Sequence, residues 1–453
     1  MKPIRHSILA AAMVWASLGE SQAQDSVKVL SLDDCIKLGL SQSAKFLRSQ
    51  DSVQITGAAL IGAYGEFLPN LSFNGNYGYL SGSNLLTTAA PTLVNSKVSQ
   101  LNYQLTSTLN IFNGFADYSA LKIATLNRDA SQFNLDRAKQ EIAFDITQTF
   151  LQVILDRKII TYAQSNFDAS TNREEQLNEL TTVGRKAVAD LYQQQAETSN
   201  DNLFLIQANE KLKNDVVLLL RKLKISQTDK YAIGDMAVDT LPLGHEYKNA
   251  QDLITKAVDQ RPDLKSSALG ISIADFEIRN LQSGYLPKLS LEGGLLSNGG
   301  YFNSLYVNGV NDLGTQESYG KAMFGQLYGE AFLNLSWNLF SRLSNKTNVS
   351  IAKINRQNAQ INNDDLTVEI SSEVKQAYND YLSALQQITA ANKGIISAVQ
   401  AFDVVQGQYN VGKATFVELS TAQAALLQAQ VNKAQADVNL ALQKKIIDYY
   451  IGK

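Results

Sequence analysis

The side chains on which hydrolytic, redox and metal chemistry is built are nearly missing from this chain. Its 453 residues include two histidines, His6 and His245, and one cysteine, Cys35. A single cysteine permits no intramolecular disulfide and no cysteine-rich zinc site. His6 falls in a segment expected to be removed, which leaves His245 as the sole candidate for a Ser-His-Asp triad or a histidine ligand. It stands among Pro242, Gly244 and Glu246 and reads as a solvated loop residue. No nucleophile–base pair and no metal cluster is expected, and so no enzyme activity and no cofactor. A net charge of −3 and a pI near 5.6 give no basic face for nucleic acid.

A function without chemistry has to come from architecture. Lys2 and Arg5, the apolar run Ile8 to Leu18 and the small-x-small site Ser21-Gln22-Ala23 read as a signal peptide over 1–23. Cys35 lies too far on to be a lipidated first residue. Elsewhere no run of about 18 apolar residues predicts a transmembrane helix. The six prolines leave two proline-free runs, 92–241 and 288–453, in which long helices can continue unbroken.

The remaining chain is two copies of one unit. At an offset of 218, Phe67-Leu68-Pro69-Asn70-Leu71-Ser72 falls on Tyr285-Leu286-Pro287-Lys288-Leu289-Ser290. The same offset places Ser31 and Asp34 on Asn249 and Asp252, each pair spaced as a helix N-cap and an acidic third residue. Further on the offset is 228: Asn110-Ile111-Phe112 meets Asn338-Leu339-Phe340, and Val183-Gly184-Arg185 meets Val411-Gly412-Lys413. One register held over so long a stretch marks an internal repeat. The copies are read as 24–223 and 251–453, joined by 224–250.

Each copy reads as helix, two strands, then two long helices. Leu101, Tyr103, Leu105, Leu109 and Ile111 alternate with amides and hydroxyls, as do Leu333, Leu335, Trp337 and Leu339. Runs of about 10–13 residues suit tilted strands crossing a bilayer, and a half-buried soluble sheet is the other reading of the same alternation. The Ser-, Asn-, Gly- and Thr-rich segments 81–98 and 298–326 are expected to be exposed loops. Heptad-like stripes then run from Val374 to Tyr409 and from Leu419 to Ile447, describing an antiparallel hairpin that turns at Val411-Gly412. A helix over 342–410 would be roughly 100 Å long.

Four membrane strands cannot close by themselves, and open edges in hydrocarbon leave backbone groups unsatisfied. Several protomers must therefore share one barrel; two would give eight strands around an interior filled by side chains, and three would give twelve with room for a lumen.

The duplicated unit, the paired Leu-Pro landmarks and the paired hairpin tips, each Val-Gly followed by an acid-Leu pair, resemble the TolC family of outer-membrane efflux proteins. The resemblance implies an α+β fold: an internally duplicated protomer, a homotrimeric 12-stranded β-barrel, and a long periplasmic α-helical barrel of coiled-coil hairpins. It implies a passive export duct in the outer membrane of a Gram-negative bacterium, docked to a periplasmic adaptor and an inner-membrane transporter. A coiled-coil scaffold of the cell envelope is the alternative, and it leaves the alternating strands unexplained. The resemblance further implies gate residues at Asp190, Tyr409 and Glu418, and adaptor-docking tips at Val183, Gly184, Arg185, Val411, Gly412 and Lys413. The family's tip arginine lands on Ala414 and a second acidic ring position on Thr421; Arg185, Lys186 and Lys413 lie near the tips and could supply a substitute cation, the other reading being ordinary solvated charges at helix ends.

Overall fold

The structure is a computed structural model that describes residues 28–87, 91–226, 231–235, 247 and 249–452. The expected signal peptide, His245 and most of the segment joining the copies lie outside those residues. The described elements begin with β1 (Lys28–Leu30), α1 (Leu32–Gln42), α2 (Ala44–Gly65), β2 (Ser72–Thr87), β3 (Pro91–Phe112), α3 (Ala116–Thr182) and α4 (Val188–Lys222). After β4 (Tyr231–Ile233) the run returns as α5 (Ala250–Gln260), α6 (Pro262–Gln282), β5 (Lys288–Val307) and the two-residue β6 (Val310–Asn311). It finishes with α7 (Tyr319–Phe324), β7 (Leu327–Ser336), α8 (Ser344–Asn410) and α9 (Phe416–Tyr450). The duplication is visible in element lengths: α3 and α8 have 67 residues each, and α4 and α9 have 35 each. Each later helix starts 228 residues after its counterpart.

Two helices, not one, open each copy. The break between α1 and α2 falls at Ser43, whose hydroxyl accepts from Phe46 N–H. The break between α5 and α6 falls at Arg261-Pro262, because proline at the first helical position donates no backbone hydrogen bond to a preceding turn. The expected caps are present: Ser31 and Asp34 cap each other's backbone N–H, and Asn249 accepts from Gln251 N–H at 2.9 Å.

The chain divides into two compact units. The first joins residues up to Gly39 with Ile146–Asp239. In it β1 pairs in parallel with β4, and the Arg157 guanidinium donates to the carbonyls of Ile233 and Gly234 at 2.6 and 3.2 Å. Gly39 lies against Ile146 and Leu223, where a larger residue would collide with the Ile146 side chain.

The second unit joins Leu40–Asp145 with residues from Thr240 on, and it holds an antiparallel sheet in the order β2-β3-β5-β7. The register sets Phe73 opposite Leu105, Leu105 opposite Leu295, and Leu291 between Leu109 and Leu333. Because side chains alternate across a strand, these residues share one apolar face. Asn74, Asn76, Asn102, Gln104, Asn298 and Asn334 share the other. Three strands, β2, β3 and β5, are longer than expected at 16, 22 and 20 residues, and β7 has the expected 10. Much of 81–98 and 298–307 is paired strand instead of loop: Leu85 sits opposite Leu93, and Asn95 opposite both Ser83 and Tyr306. Their polar composition reports a ladder with aqueous surroundings; serine and asparagine weaken a strand without preventing one whose backbone is paired.

Below the sheet, α8 and α9 bury Val374, Tyr381, Leu385 and Ile388 against Leu440 and Ile447. Leu253 and Leu264, from α5 and α6, join that core. Tyr381 is fully enclosed and meets Tyr247 edge-on at 5.3 Å. Arg261, 3% exposed, makes a two-pronged ion pair with Asp263 (2.6 and 3.0 Å) and reaches Glu373 on α8 at 2.8 Å. Arg137 of α3 approaches Asp263 at 3.4 Å and stacks over the Tyr449 ring at 4.2 Å.

Candidate functional site

The two helical hairpins end in the same turn. Thr182 and Asn410 end the long helices, and the glycines that follow at the tips, Gly184 and Gly412, have φ of +71° and +75°. At the first tip Arg185 N–H reaches back to the Leu180 carbonyl at 2.8 Å and Gly184 N–H to Thr181 at 3.0 Å. At the second, Lys413 N–H reaches Gln408 at 2.8 Å and Gly412 N–H reaches Tyr409 at 3.0 Å. This pair of bonds is the Schellman stop, which needs a left-handed residue at the position both glycines hold. Each tip thereby thrusts a valine into solvent, Val183 at 67% exposure and Val411 at 69%. Arg185 and Lys413 stand exposed beside them.

After the turn the copies diverge. Helix α9 opens with a complete capping box: Glu418 N–H donates to the Thr415 hydroxyl at 3.3 Å. The Glu418 carboxylate accepts from Thr415 N–H at 2.7 Å and from its hydroxyl at 3.0 Å. These bonds hold the exposed Glu418 carboxyl below the ordinary glutamate range. The expectation of an acidic ring at Glu418 thus meets a side chain already engaged in its own helix start, a role that the spacing Thr415-x-x-Glu418 also signals. In the first copy the equivalent cap position is Ala187, which offers no side-chain bond, and Asp190 sits half-buried in the first turn of α4. Tyr409 is half-buried in the last turn of α8, and Thr421 bonds its own helix at Val417 O (2.7 Å). Asp190 belongs to the first unit, Tyr409 and Glu418 to the second.

Sequence reasoning missed a polar layer inside the first hairpin. Ser170 and Gln194 are fully enclosed, and Gln194 donates to the Ser170 carbonyl at 3.2 Å. Ser170 in turn donates its hydroxyl to Asp201. Burial raises the Asp201 carboxyl despite Ser170, Arg173 and Asn166 around it, and burial with Asp201 nearby raises Glu197. Its members come from two helices and share no motif spacing, so no linear signal marks them.

Among the described residues no group of three or more His, Cys, Asp or Glu could hold a metal ion. The sheet offers a wall instead. Its polar face carries a recess of about 440 Å³, lined by Asn74, Asn76, Asn102, Gln104 and Asn298. Glu292 stands on that face and accepts from Asn334 at 3.2 Å. No described helix is long and apolar enough to cross a membrane.

Residues 253–452 match the family model of the outer membrane efflux protein. The chain is 22% identical over 395 residues to outer membrane protein TolC of Salmonella enteritidis, spanning 86% of this chain and 75% of that one. The chain is similar to the TolC family of outer-membrane efflux proteins, through the family model in its second copy and through the relatives over most of its length. Its fold matches that of VceC from Vibrio cholerae (TM-score 0.75, 13% identity, 93% of this chain and 96% of that one). It also matches the Campylobacter jejuni CmeC outer membrane channel (TM-score 0.74, 15% identity, 99% and 94%). These likenesses support an outer-membrane efflux channel with a periplasmic portion over the envelope-scaffold alternative. The family's members are channel proteins.

Proposed function

We propose that three copies of this chain form a passive export duct, a 12-stranded barrel continued by a periplasmic tube of helical hairpins. One observation carries the reading. The sheet has an apolar face and two edges, β2 and β7, each paired on one side only. Open edges are not tolerated in hydrocarbon, and four strands fall short of the eight that the smallest barrels use. Joining β7 of one copy to β2 of the next closes the edges, and three copies leave a lumen lined by the asparagine face. A signal peptide over 1–23, copies over 24–223 and 251–453, and an equatorial segment over 224–250 complete the assignment.

The tips Val183, Gly184, Arg185, Val411, Gly412 and Lys413 are assigned to docking with a periplasmic adaptor that delivers cargo from an inner-membrane transporter. Their matched turns and exposed valines support that assignment. Asp190, Tyr409 and Glu418 are assigned to the resting gate beside them.

Closure is tested by cysteine pairs placed on one face of β2 and β7, such as Asn76→Cys with Glu330→Cys and its alternate neighbours along the register, in a Cys35→Ser background. Oxidation in the membrane should give species of two and three chains on a denaturing gel, with three as the upper limit. A ladder ending at two chains, or no linkage for any pair along both edges, overturns the trimer.

A further inference from the structure

The apolar face of the sheet changes character abruptly along its strands. From the end near the long helices it reads Leu289 with Leu335, then Leu291 between Leu109 and Leu333, then the small residues Ser107, Gly293 and Ala331, then Leu105 between Phe73 and Leu295. Aromatic hydroxyls follow: Tyr103, then Tyr77 beside Leu101, then Tyr79 and Tyr301 on either side of Ser99. One row further the same face carries Ser81, Lys97 and Ser304. From Leu289 to Tyr301 the strand covers roughly 40 Å at about 3.3 Å per residue, or about 30 Å across a bilayer at a tilt near 40°. That is the thickness of the hydrocarbon core.

Helix α7 sits on the tyrosine rows. Gly299 lies so close beneath it that a Cβ there would come within 2.1 Å of the Met323 carbonyl oxygen. Met323 is buried on the sheet, Tyr103 donates its hydroxyl to the Phe324 carbonyl at 3.3 Å, and Tyr319 meets Tyr301 edge-on at 5.1 Å. The rings of Tyr319 and Phe324 stay exposed on the outer side, at the level where the face turns from leucine to serine and lysine.

We propose that α7 is an interfacial foot, resting at the headgroup–acyl boundary of the outer leaflet with lipid as its partner. Amphipathic rings concentrate at that depth because one end is apolar and the other is hydrated. The leucine-rich face below α7 supplies the hydrocarbon level, and exposed Lys97 above it marks the aqueous side. The strands beyond Tyr79 and Tyr301 then stand clear of the membrane. The inference rests on the barrel reading, and its test separates the two.

Single-tryptophan reporters at Phe324, Leu105 and Tyr306 would be made in a Trp15→Phe, Trp337→Phe background. The full-length oligomer would be reconstituted in phosphatidylcholine brominated at shallow or deep acyl carbons, with aqueous iodide as the third quencher. Phe324→Trp should lose about half its emission to shallow bromine and less to deep bromine. Leu105→Trp should respond most to deep bromine, and Tyr306→Trp to iodide alone. If Phe324→Trp follows Tyr306→Trp, α7 stands in water and the inference fails. If Leu105→Trp also ignores both lipids, the barrel reading fails with it.

Discussion

The Ser170 hydroxyl donates to the Asp201 carboxylate across the first helical hairpin, where the corresponding positions of the second copy are Ala398 and Ala429. The contrast extends through the layer: Asn166, Arg173, Gln194 and Glu197 correspond to Gly394, Ala401, Ala422 and Ala425 at the repeat offset of 228. At these positions one hairpin has small residues, Gly394 and Ala429 lining a recess of about 550 Å³, and the other a buried polar network that is costly when incompletely satisfied.

The network gives the first hairpin a pH dependence with a definite sign. Burial raises Asp201, and burial with Asp201 raises Glu197. A carboxyl raised on folding contributes stability that is present in acid and lost as pH climbs through its folded value. Asp156, raised by burial although Lys211 lies 2.6 Å away, acts with the same sign. Hydrogen exchange in α3 and α4, corrected for intrinsic rates, should therefore slow as pH falls from neutral towards the carboxylate range. Asp201→Asn should remove part of that slope and leave α8 and α9 untouched. An unchanged slope in this variant would show that Asp201 titrates as an ordinary surface acid.

The sheet faces make opposite demands on a new charge. Leu105 lies on the apolar face and its neighbour Thr106 on the polar one, where the Thr106 and Ser72 hydroxyls are 2.8 Å apart. Arginine on the lipid face should cost about 2–4 kcal/mol near the midplane. Leu105→Arg should sharply reduce folded oligomer in the outer membrane, whereas Thr106→Lys should accumulate normally. Equal amounts of the two variants on a heat-modifiability gel would contradict the face assignment.

Much of this architecture was legible because it repeats. Two copies let Leu-Pro and Val-Gly landmarks confirm one another, and alternation around Leu105 named the membrane face before any register was known. Loop composition misled at 81–98, because Ser83 and Asn95 lie opposite each other in a ladder that extends beyond the leucine rows. The polar layer could not be read at all, since Ser170 and Asp201 meet only when α3 and α4 pack. At Glu418 a readable signal was overlooked: a threonine three residues ahead of a glutamate at a helix start is a capping box, whatever else the carboxylate does.

Arg261 is the ionic centre of the second unit. It neutralises Asp263 and Glu373 from an enclosed position, and Asp263 is held below the ordinary aspartate range by Arg261 and Arg137 against the opposing effect of burial. Removing one partner of a buried pair typically costs 3–5 kcal/mol, roughly, because the other charge is stranded. Arg261→Ala should therefore lower the unfolding midpoint of the detergent-solubilised protein, and Arg261→Ala with Asp263→Ala should recover part of the loss. A double variant no better than the single one would mean that the cost lies in packing.

At the tips the demand is conformational. A Cβ on Gly412 would meet nothing within 4 Å, so any penalty comes from φ of +75° and not from crowding. Left-handed backbone costs ordinary residues about 1–2 kcal/mol, with asparagine the best tolerated. Dye export by intact cells should fall in the order Gly412, Asn, Val, while the oligomer persists in the membrane. Equal export by Gly412→Asn and Gly412→Val would separate the turn from docking.

The last prediction separates capping from gating at Glu418. Three copies would set three carboxylates at a water-filled mouth, which favours cations. Mutual repulsion there raises each carboxyl, while the Thr415 bonds lower it. The bonds act at 2.7 and 3.0 Å, whereas charges across an aqueous opening are screened by salt within about 10 Å, so the lowering should prevail. A group lowered on folding contributes stability above its unfolded value and loses it as pH falls. Cation selectivity in planar bilayers should accordingly persist as the solution is acidified through the ordinary glutamate range. Glu418→Gln keeps an acceptor for Thr415 N–H and removes the charge, so selectivity should fall while hairpin protection from exchange stays. Thr415→Ala should do the reverse, loosening the start of α9 and sparing selectivity. If Glu418→Gln leaves selectivity intact, the carboxylate is a helix cap and the charge that selects cations lies elsewhere in the duct.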